Sequence, residues 1–425
     1  MKHNIDARRA FIASGLGWGL DGFTFTMFAL ALPGILVGLN MTVAQGGWIT
    51  TYSLLASALG GILGGMLADR FGRAKVLMYV ILAFSVFTAL TATAQNPTQL
   101  AMWRILEGLA FGAEWPVGAA LLAEYASSKS RGKTMGFLQS AYGIGWALST
   151  LSYFTVFSLF PPEVAWRYLF LIGILPALAV FYIRRNVKDR VPVNRDKSVK
   201  KNNSMKELFS RKQIRITLLA IVLGFGVQAV YYSVFSFLPL YLKQVQNLSI
   251  IGTTTYLWTT ITGCMIGYIS AGYLHDILGR RPTFTLYFLG SGVTIVTFIL
   301  IPVSGSFVSY LVALLLGVFA AGQSAGIGAY SAELFPTRMR ATGQGFVYNV
   351  GRGIAAFGPA FIGVFTAMIG MGNAIMTVGI ISCTLAIITV WLLPETKGKV
   401  IIDESPEKIE GEELRTEELR TKVGT

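Results

Sequence analysis

Charge, histidine and cysteine are all scarce in this 425-residue chain. Only 13% of its residues are charged, against about 25% in a soluble globular chain. A water-soluble enzyme, a nucleic-acid-binding module and a disordered scaffold all fit poorly. Two histidines leave little material for His-based zinc chemistry or a Ser-His-Asp triad. The two cysteines, Cys264 and Cys383, sit in apolar stretches, so there is no disulfide framework and no CxxC. No GxxxxGK[ST] loop is present, which removes the support for direct ATP drive. No metal or cofactor is expected.

Apolar sequence is what the chain has in abundance. Hydrophobic residues make up 53% of it, and mean hydropathy is +0.59. The formal net charge of +14 lies in short runs between long apolar stretches, a membrane pattern rather than a nucleic-acid face. A spanning helix needs about 20 mostly apolar residues. That criterion predicts twelve spans, near 11–37, 47–68, 76–95, 99–122, 134–158, 167–184, 216–242, 250–274, 283–303, 306–330, 343–368 and 373–393. In lipid each spanning backbone must satisfy its own hydrogen bonds, so the expected fold is an all-α membrane protein. The first stretch is long, follows Arg8 and Arg9 and lacks a small-residue cleavage site. It is expected to be a retained span rather than a signal peptide.

Lys and Arg set the expected orientation. Lys2, Arg8, Arg9, Arg70, Arg73, Lys75, Lys129, Arg131, Lys133, Arg280, Arg281, Arg338 and Arg340 fall on one set of connections; the alternate set holds little beyond Lys243 and Arg167. Both termini are therefore expected in the cytoplasm. A basic linker at 184–215 separates an N-terminal half, 1–183, from a C-terminal half, 216–399. The linker is expected to enforce topology and to touch anionic lipid. A charged tail at 400–425 follows, with no function assigned.

The halves repeat one another. Gly65-Met-Leu-Ala-Asp69-Arg70-Phe-Gly72-Arg73 matches Gly272-Tyr-Leu-His275-Asp276-Ile-Leu-Gly279-Arg280 without a gap. Glu124, Arg131, Gly136 and Phe137 match Glu333, Arg340, Gly345 and Phe346 at the same internal spacing. Two pseudo-symmetric six-helix halves with a site between them near the midplane is a transporter plan.

Over essentially its whole length the sequence resembles the major facilitator superfamily. The resemblance rests on the duplicated Gly-x3-Asp-Arg-x-Gly-Arg loop and on Arg104, Gly108, Gly112 and Pro116 in the fourth span. Glu333-Leu-Phe-Pro-Thr337 with Arg340, and Pro394-Glu-Thr-Lys-Gly398, resemble the sugar-porter and organic-ion branches. Asp21-Gly-Phe23 and Glu114-Trp115 are similar to the bacterial aromatic-acid, sialate and metabolite proton symporters. Thr24 stands where a second Asp is often found, and Ile183-Arg-Arg-Asn-Val-Lys188 replaces the sugar porters' usual motif after span six. The resemblance implies gating by Asp69, Arg70, Arg73, Asp276, Arg280, Glu124, Arg131, Glu333 and Arg340, with His275 a bystander. It places the chain in a bacterial inner membrane.

Ionisable residues inside a span usually face a cavity or a partner. Asp21 lies about 15 Å into the first span at ~1.5 Å per residue; Glu114 and Arg352 are also deep in theirs. Arg104 and Glu107, a turn apart, either neutralise each other or join proton coupling. By the repeat offsets Asp21 falls on Gln228, Glu114 on Gln323 and Arg352 on Gly143, whereas Gly108 falls on Gly317. Glycines are shared between the halves, but the deep charges are not. One pocket with unlike walls is expected, lined by Arg352, Gln228, Gln323, Tyr231, Tyr232, Tyr348, Asn349 and Trp115, with Asp21, Glu114, Glu107 and Arg104 in proton coupling.

A buried Arg keeps its charge and needs an anion, and its fork matches a carboxylate. A carboxyl group in apolar surroundings can carry a proton there. The expected function is proton-coupled uptake of a small organic anion: an aromatic acid, sugar acid, sialate or short carboxylate. A sugar or polyol porter, with Arg352 paired internally, and a drug exporter are the alternatives. The expected partners are the substrate, protons and membrane lipid, without nucleic acid, and the expected state is a monomer.

Overall fold

A computed structural model describes residues 2–125, 131–178, 207–336 and 339–397. The side chains of residues 2–10, 13, 69, 73, 115–125, 131–139, 176 and 341 are not part of that description. The side chains of Trp115, Asp69, Arg73, Glu124 and Arg131, most of the linker and the tail therefore lie outside the described residues.

The regular elements are helices. The first half holds α1 (Lys2–Gly38), α2 (Val43–Phe71), α3 (Arg73–Thr91), α4 (Pro97–Tyr125), α5 (Arg131–Leu159) and α6 (Pro162–Ile172). The second holds α7 (Ile214–Phe235), α8 (Ile250–Ile277), α9 (Arg280–Leu300), α10 (Phe307–Gly322), α11 (Ser324–Leu334), α12 (Arg340–Ala355), α13 (Phe357–Ile369) and α14 (Met371–Leu392). Helices α10 and α11 form the tenth span, and α12 and α13 the eleventh. Among the described residues, eight segments are long and apolar enough to cross a membrane. The described residues of the other four expected spans are also mainly helical. Helix α4 carries Arg104, Glu107 and Glu114, and α8 is rich in Thr and Gly, which lowers their hydropathy. Helix α6 leads into a short turn at Leu175–Leu178. The chain is an integral membrane protein of twelve helical spans in two six-helix halves.

Local chemistry explains the ends. Thr42 and Gln45 cap α2 reciprocally: the Gln45 N–H donates to Thr42 Oγ1 at 3.2 Å, and the Thr42 N–H donates to Gln45 Oε1 at 2.8 Å. The duplicated loop turns on Gly72 and Gly279, with φ of 98° and 102°, a region that disfavours any side chain.

The repeat extends to individual contacts. A Cβ added to Gly60 would meet the backbone of Leu109, and one on its mate Gly267 the backbone of Val318, the mate of Leu109. A Cβ on Gly108 would meet the Ser53 carbonyl, and one on Gly317 the carbonyl of Thr260, the mate of Ser53. Glycine thus lets α2 and α4 in one half, and α8 and α10 in the other, approach backbone to backbone. Between halves, α2 packs on α12 and α13, and α5 on α8.

Spans ten and eleven depart from the expected unbroken helices. Span ten turns at Gln323, between Gly322 and Ser324. Span eleven turns at Ala356. Pro359 has no N–H for the Ala355 carbonyl, and its ring crowds that turn. At this turn the Ala356 carbonyl accepts from Thr51 Oγ1 of the other half at 2.7 Å.

Candidate functional site

Midway along the bundle, three helices bring charge into an interior of aromatic side chains. Asp21 on α1 and Glu114 on α4 are each 1% exposed, and Arg352 on α12 is 2% exposed. Glu114 packs on Gly17, one turn before Asp21. The two carboxyl groups lie near enough to interact with each other. No N–H or O–H donor among the described residues reaches any of their four oxygens. Such a contact is attractive only with a proton between the groups.

Arg352 sits across from this pair, near enough to interact with both acids electrostatically. Its Nε–H donates to Gln228 Oε1 at 3.3 Å, and Nη2 donates to the Tyr348 hydroxyl at 2.9 Å. Nη1 has no acceptor. Gln228 is fixed in turn: its Nε2 donates to the Tyr348 carbonyl at 2.9 Å, and its Oε1 also accepts from the Tyr232 hydroxyl at 3.2 Å. The guanidinium is therefore held by neutral groups, and no carboxylate among the described residues lies within salt-bridge distance of it.

Aromatic rings complete the wall. The Arg352 guanidinium lies 4.8 Å from the Tyr348 ring and 5.5 Å from that of Phe111. Phe111 stacks on Phe25 at 5.9 Å, and Phe25 meets Tyr232 at 5.7 Å. Tyr142 bridges Trp18, at 5.3 Å, and Tyr231, at 6.1 Å. Phe25, Phe111, Trp18 and Tyr142 went unnoticed in the sequence. Helical spacing points to three of them, since Trp18 and Phe25 lie one turn either side of Asp21 and Phe111 one turn before Glu114.

Asp21, Glu114, Arg352, Gln228, Tyr232 and Tyr348 come together as one cluster. Gln323 instead donates to the Val227 and Ala320 carbonyls at 3.4 and 3.2 Å, at the break in span ten. Asn349 faces Gly61 of α2, and its Nδ2 donates to Gly345 on its own helix at 2.9 Å. Arg104 and Glu107 form a buried ion pair at 3.2 Å, with Glu107 near enough to interact with Asp21 electrostatically.

The second-half charge cluster lies at one end of the bundle. Glu333 accepts from Arg280 Nε and Nη2 at 3.0 and 2.7 Å, and Asp276 accepts from Arg280 Nη1 at 3.2 Å. Glu395 caps α9, accepting the Arg280 and Arg281 N–H groups at 2.9 Å each. Partial burial pushes its pKa up, but these donors and the Lys397 and Thr396 N–H groups together hold it below the usual carboxylate range. Arg340 Nε donates to the Ala332 carbonyl at 2.9 Å, and Arg70 stacks beside Phe71. All the acids bound to Arg280 belong to its own half. His275 is buried against Phe284.

Two helical halves meeting at a buried charged cluster of unlike walls are the plan of a membrane transporter. The Major Facilitator Superfamily description matches residues 15–316 and 254–420, and the chain belongs to that family. A probable 4-methylmuconolactone transporter of Cupriavidus pinatubonensis is 38% identical over 397 residues, covering 93% of this chain and 92% of the relative. A niacin transporter of Acinetobacter baylyi is 30% identical over 430 residues, covering 91% and 94%. The crystal structure of a D-xylose-proton symporter shares the fold, with a TM-score of 0.77 at 19% identity, covering 93% of this chain and 99% of that one. The protein is a transporter and not an enzyme.

Proposed function

We propose that this transporter takes up a small organic anion together with protons, by alternating access across a bacterial inner membrane with both termini in the cytoplasm. One observation carries the reading: Arg352 is buried, held by neutral groups and short of one acceptor, while the nearest acids face each other instead. A permanent buried cation of this kind calls for an anion. A substrate carboxylate on Nη1 supplies it. Asp21 and Glu114 hold the proton that keeps the opposite wall from repelling the incoming charge. Deprotonation on the inner side then helps expel the substrate. Two relatives are named for 4-methylmuconolactone and niacin, which supports an organic-acid substrate class. The sugar reading needs Arg352 paired to an internal acid, and the guanidinium contacts described here favour the anion. The charge clusters at the ends of α2 and α8 act as gates in this scheme, and the protein works as a monomer.

A thermal-shift screen of the purified protein against carboxylates, sugars and cationic drugs tests the substrate class. Ligand that binds the folded state raises the midpoint by mass action. The expected result is stabilisation by a carboxylate; stabilisation by sugars alone would replace this reading with the porter alternative.

A further inference from the structure

A small cavity adjoins the charged cluster and shares Phe25 with its aromatic wall. Phe25, Phe28, Ser53, Arg104 and Ser236 are among the residues lining it. Two donors here have no partner: Arg104 Nε, on a residue 3% exposed, and Ser236 Oγ, on a residue 4% exposed. They come from opposite halves, α4 and the end of span seven. Buried donors left unpaired are costly, so a pair of them aimed into one cavity needs an explanation. The neighbouring hydroxyls are already used. Ser53 Oγ donates to Glu107 Oε2 at 3.4 Å, and Thr50 Oγ1 donates to the Gly46 carbonyl at 3.0 Å.

The charge in this cavity is already balanced. Arg104 Nη1 lies 3.2 Å from Glu107 Oε2, and the guanidinium also rests 4.6 Å from the Phe28 ring. An incoming carboxylate would meet the Glu107 charge. A neutral oxygen would meet only donors. Along α4, Arg104 and Phe111 are seven residues apart, about 10 Å at ~1.5 Å per residue. Phe111 carries the Arg352 guanidinium on its ring. Phe25 lines the cavity and stacks on Phe111, so the two sites adjoin through these rings.

Building on Arg352 as anion anchor, we infer that the cavity beside Arg104 and Ser236 is a second subsite that selects organic acids bearing a neutral oxygen acceptor, such as a hydroxyl or carbonyl, at the end remote from the carboxylate. The near end of the substrate lies on Arg352. The remote oxygen accepts from Arg104 Nε and Ser236 Oγ. A second carboxylate at that end is selected against by Glu107.

Equilibrium binding to the purified full-length protein, with benzoate, 4-hydroxybenzoate and terephthalate as probes, tests this. Wild type is expected to bind 4-hydroxybenzoate about tenfold tighter than benzoate, the scale of a hydrogen bond to a charged group, and terephthalate more weakly than benzoate. In Ser236→Ala the 4-hydroxybenzoate preference falls toward one. In Arg104→Met/Glu107→Met, which removes the pair together, it falls and the penalty on terephthalate disappears. Should the double variant fail to fold, Ser236→Ala decides. Equal binding of benzoate and 4-hydroxybenzoate by wild type, tightest binding of terephthalate, or a preference unchanged in Ser236→Ala would overturn the subsite. Benzoate alone judges the anchor. Its binding should be lost in Arg352→Ala; if it is retained, the anchor is wrong, while the probe preferences still judge the subsite.

Discussion

The Arg352 guanidinium and the Gln228 side chain meet at 3.3 Å from helices 124 residues apart in sequence. Gln228 is in turn pinned by the Tyr348 carbonyl and the Tyr232 hydroxyl. A flexible cation is thereby fixed, with the Nη1 donor left unused; in the proposed function that donor takes the substrate anion. Pre-ordering of this kind reduces the entropy lost on binding.

Replacing Arg352 by Ala should therefore weaken carboxylate binding at least a hundredfold, the scale for truncating a buried charged contact. Arg352→Lys keeps the charge but loses the fork, and should weaken binding by a smaller factor. Titration calorimetry on the folded variants measures both. Affinity unchanged in Arg352→Ala would make this residue structural.

The paired glycine contacts predict equivalent damage in the two halves. Gly108→Ala and Gly317→Ala each drive a methyl group into a backbone carbonyl of the neighbouring helix, which cannot rotate away. Each should destabilise by about 1–3 kcal/mol, seen as similar falls in thermal midpoint. A large fall in one and none in the other would break the correspondence between the halves.

Glu395 offers a test of pH dependence. Its pKa is held low by backbone donors at the start of α9. A depressed carboxyl stabilises above its unfolded pKa and loses that contribution as pH falls through its folded pKa. Glu395→Gln should lower stability at neutral pH by about 1 kcal/mol, the usual scale for a lost cap. The difference from wild type should shrink below the normal carboxylate range. Thermal melts of both proteins across pH check this; a gap that widens on acidification would contradict it.

Asp276 is mostly exposed and holds one nitrogen of Arg280, whose other two nitrogens stay on Glu333. Asp276→Asn should accordingly slow transport several-fold while leaving ligand affinity within about twofold. Parallel loss of equilibrium binding would place Asp276 nearer the substrate than the gating scheme allows.

The twelve spans were legible because lipid demands long apolar helices, and the halves were legible because Gly72 and Gly279, like Gly108 and Gly317, meet the same backbone constraint twice. Asp21, Glu114 and Arg352 stood out because charge at such depth is costly. The Asp21–Glu114 contact was not legible, because the rotation of α1 against α4 is set by packing, with Glu114 seated on Gly17. Gln323 and Asn349 were expected in the pocket because their mates and neighbours are charged or polar. Their amides instead serve the backbone at a helix break and on their own helix. The turn at Ala356 was in principle readable from Pro359, but its role needed Thr51 of the other half to come into view.

Proton coupling through the Asp21–Glu114 pair is the central claim, and proteoliposomes test it most directly. Asp21→Asn and Glu114→Gln each replace a titrating carboxyl with a neutral amide of similar shape. Uptake of a carboxylate identified by thermal shift is measured under an inside-alkaline gradient, alongside counterflow at equal pH. At least one variant, with Asp21→Asn expected first, should retain counterflow and lose gradient-driven accumulation. Accumulation surviving in both variants, or wild-type uptake indifferent to the gradient, would contradict the account.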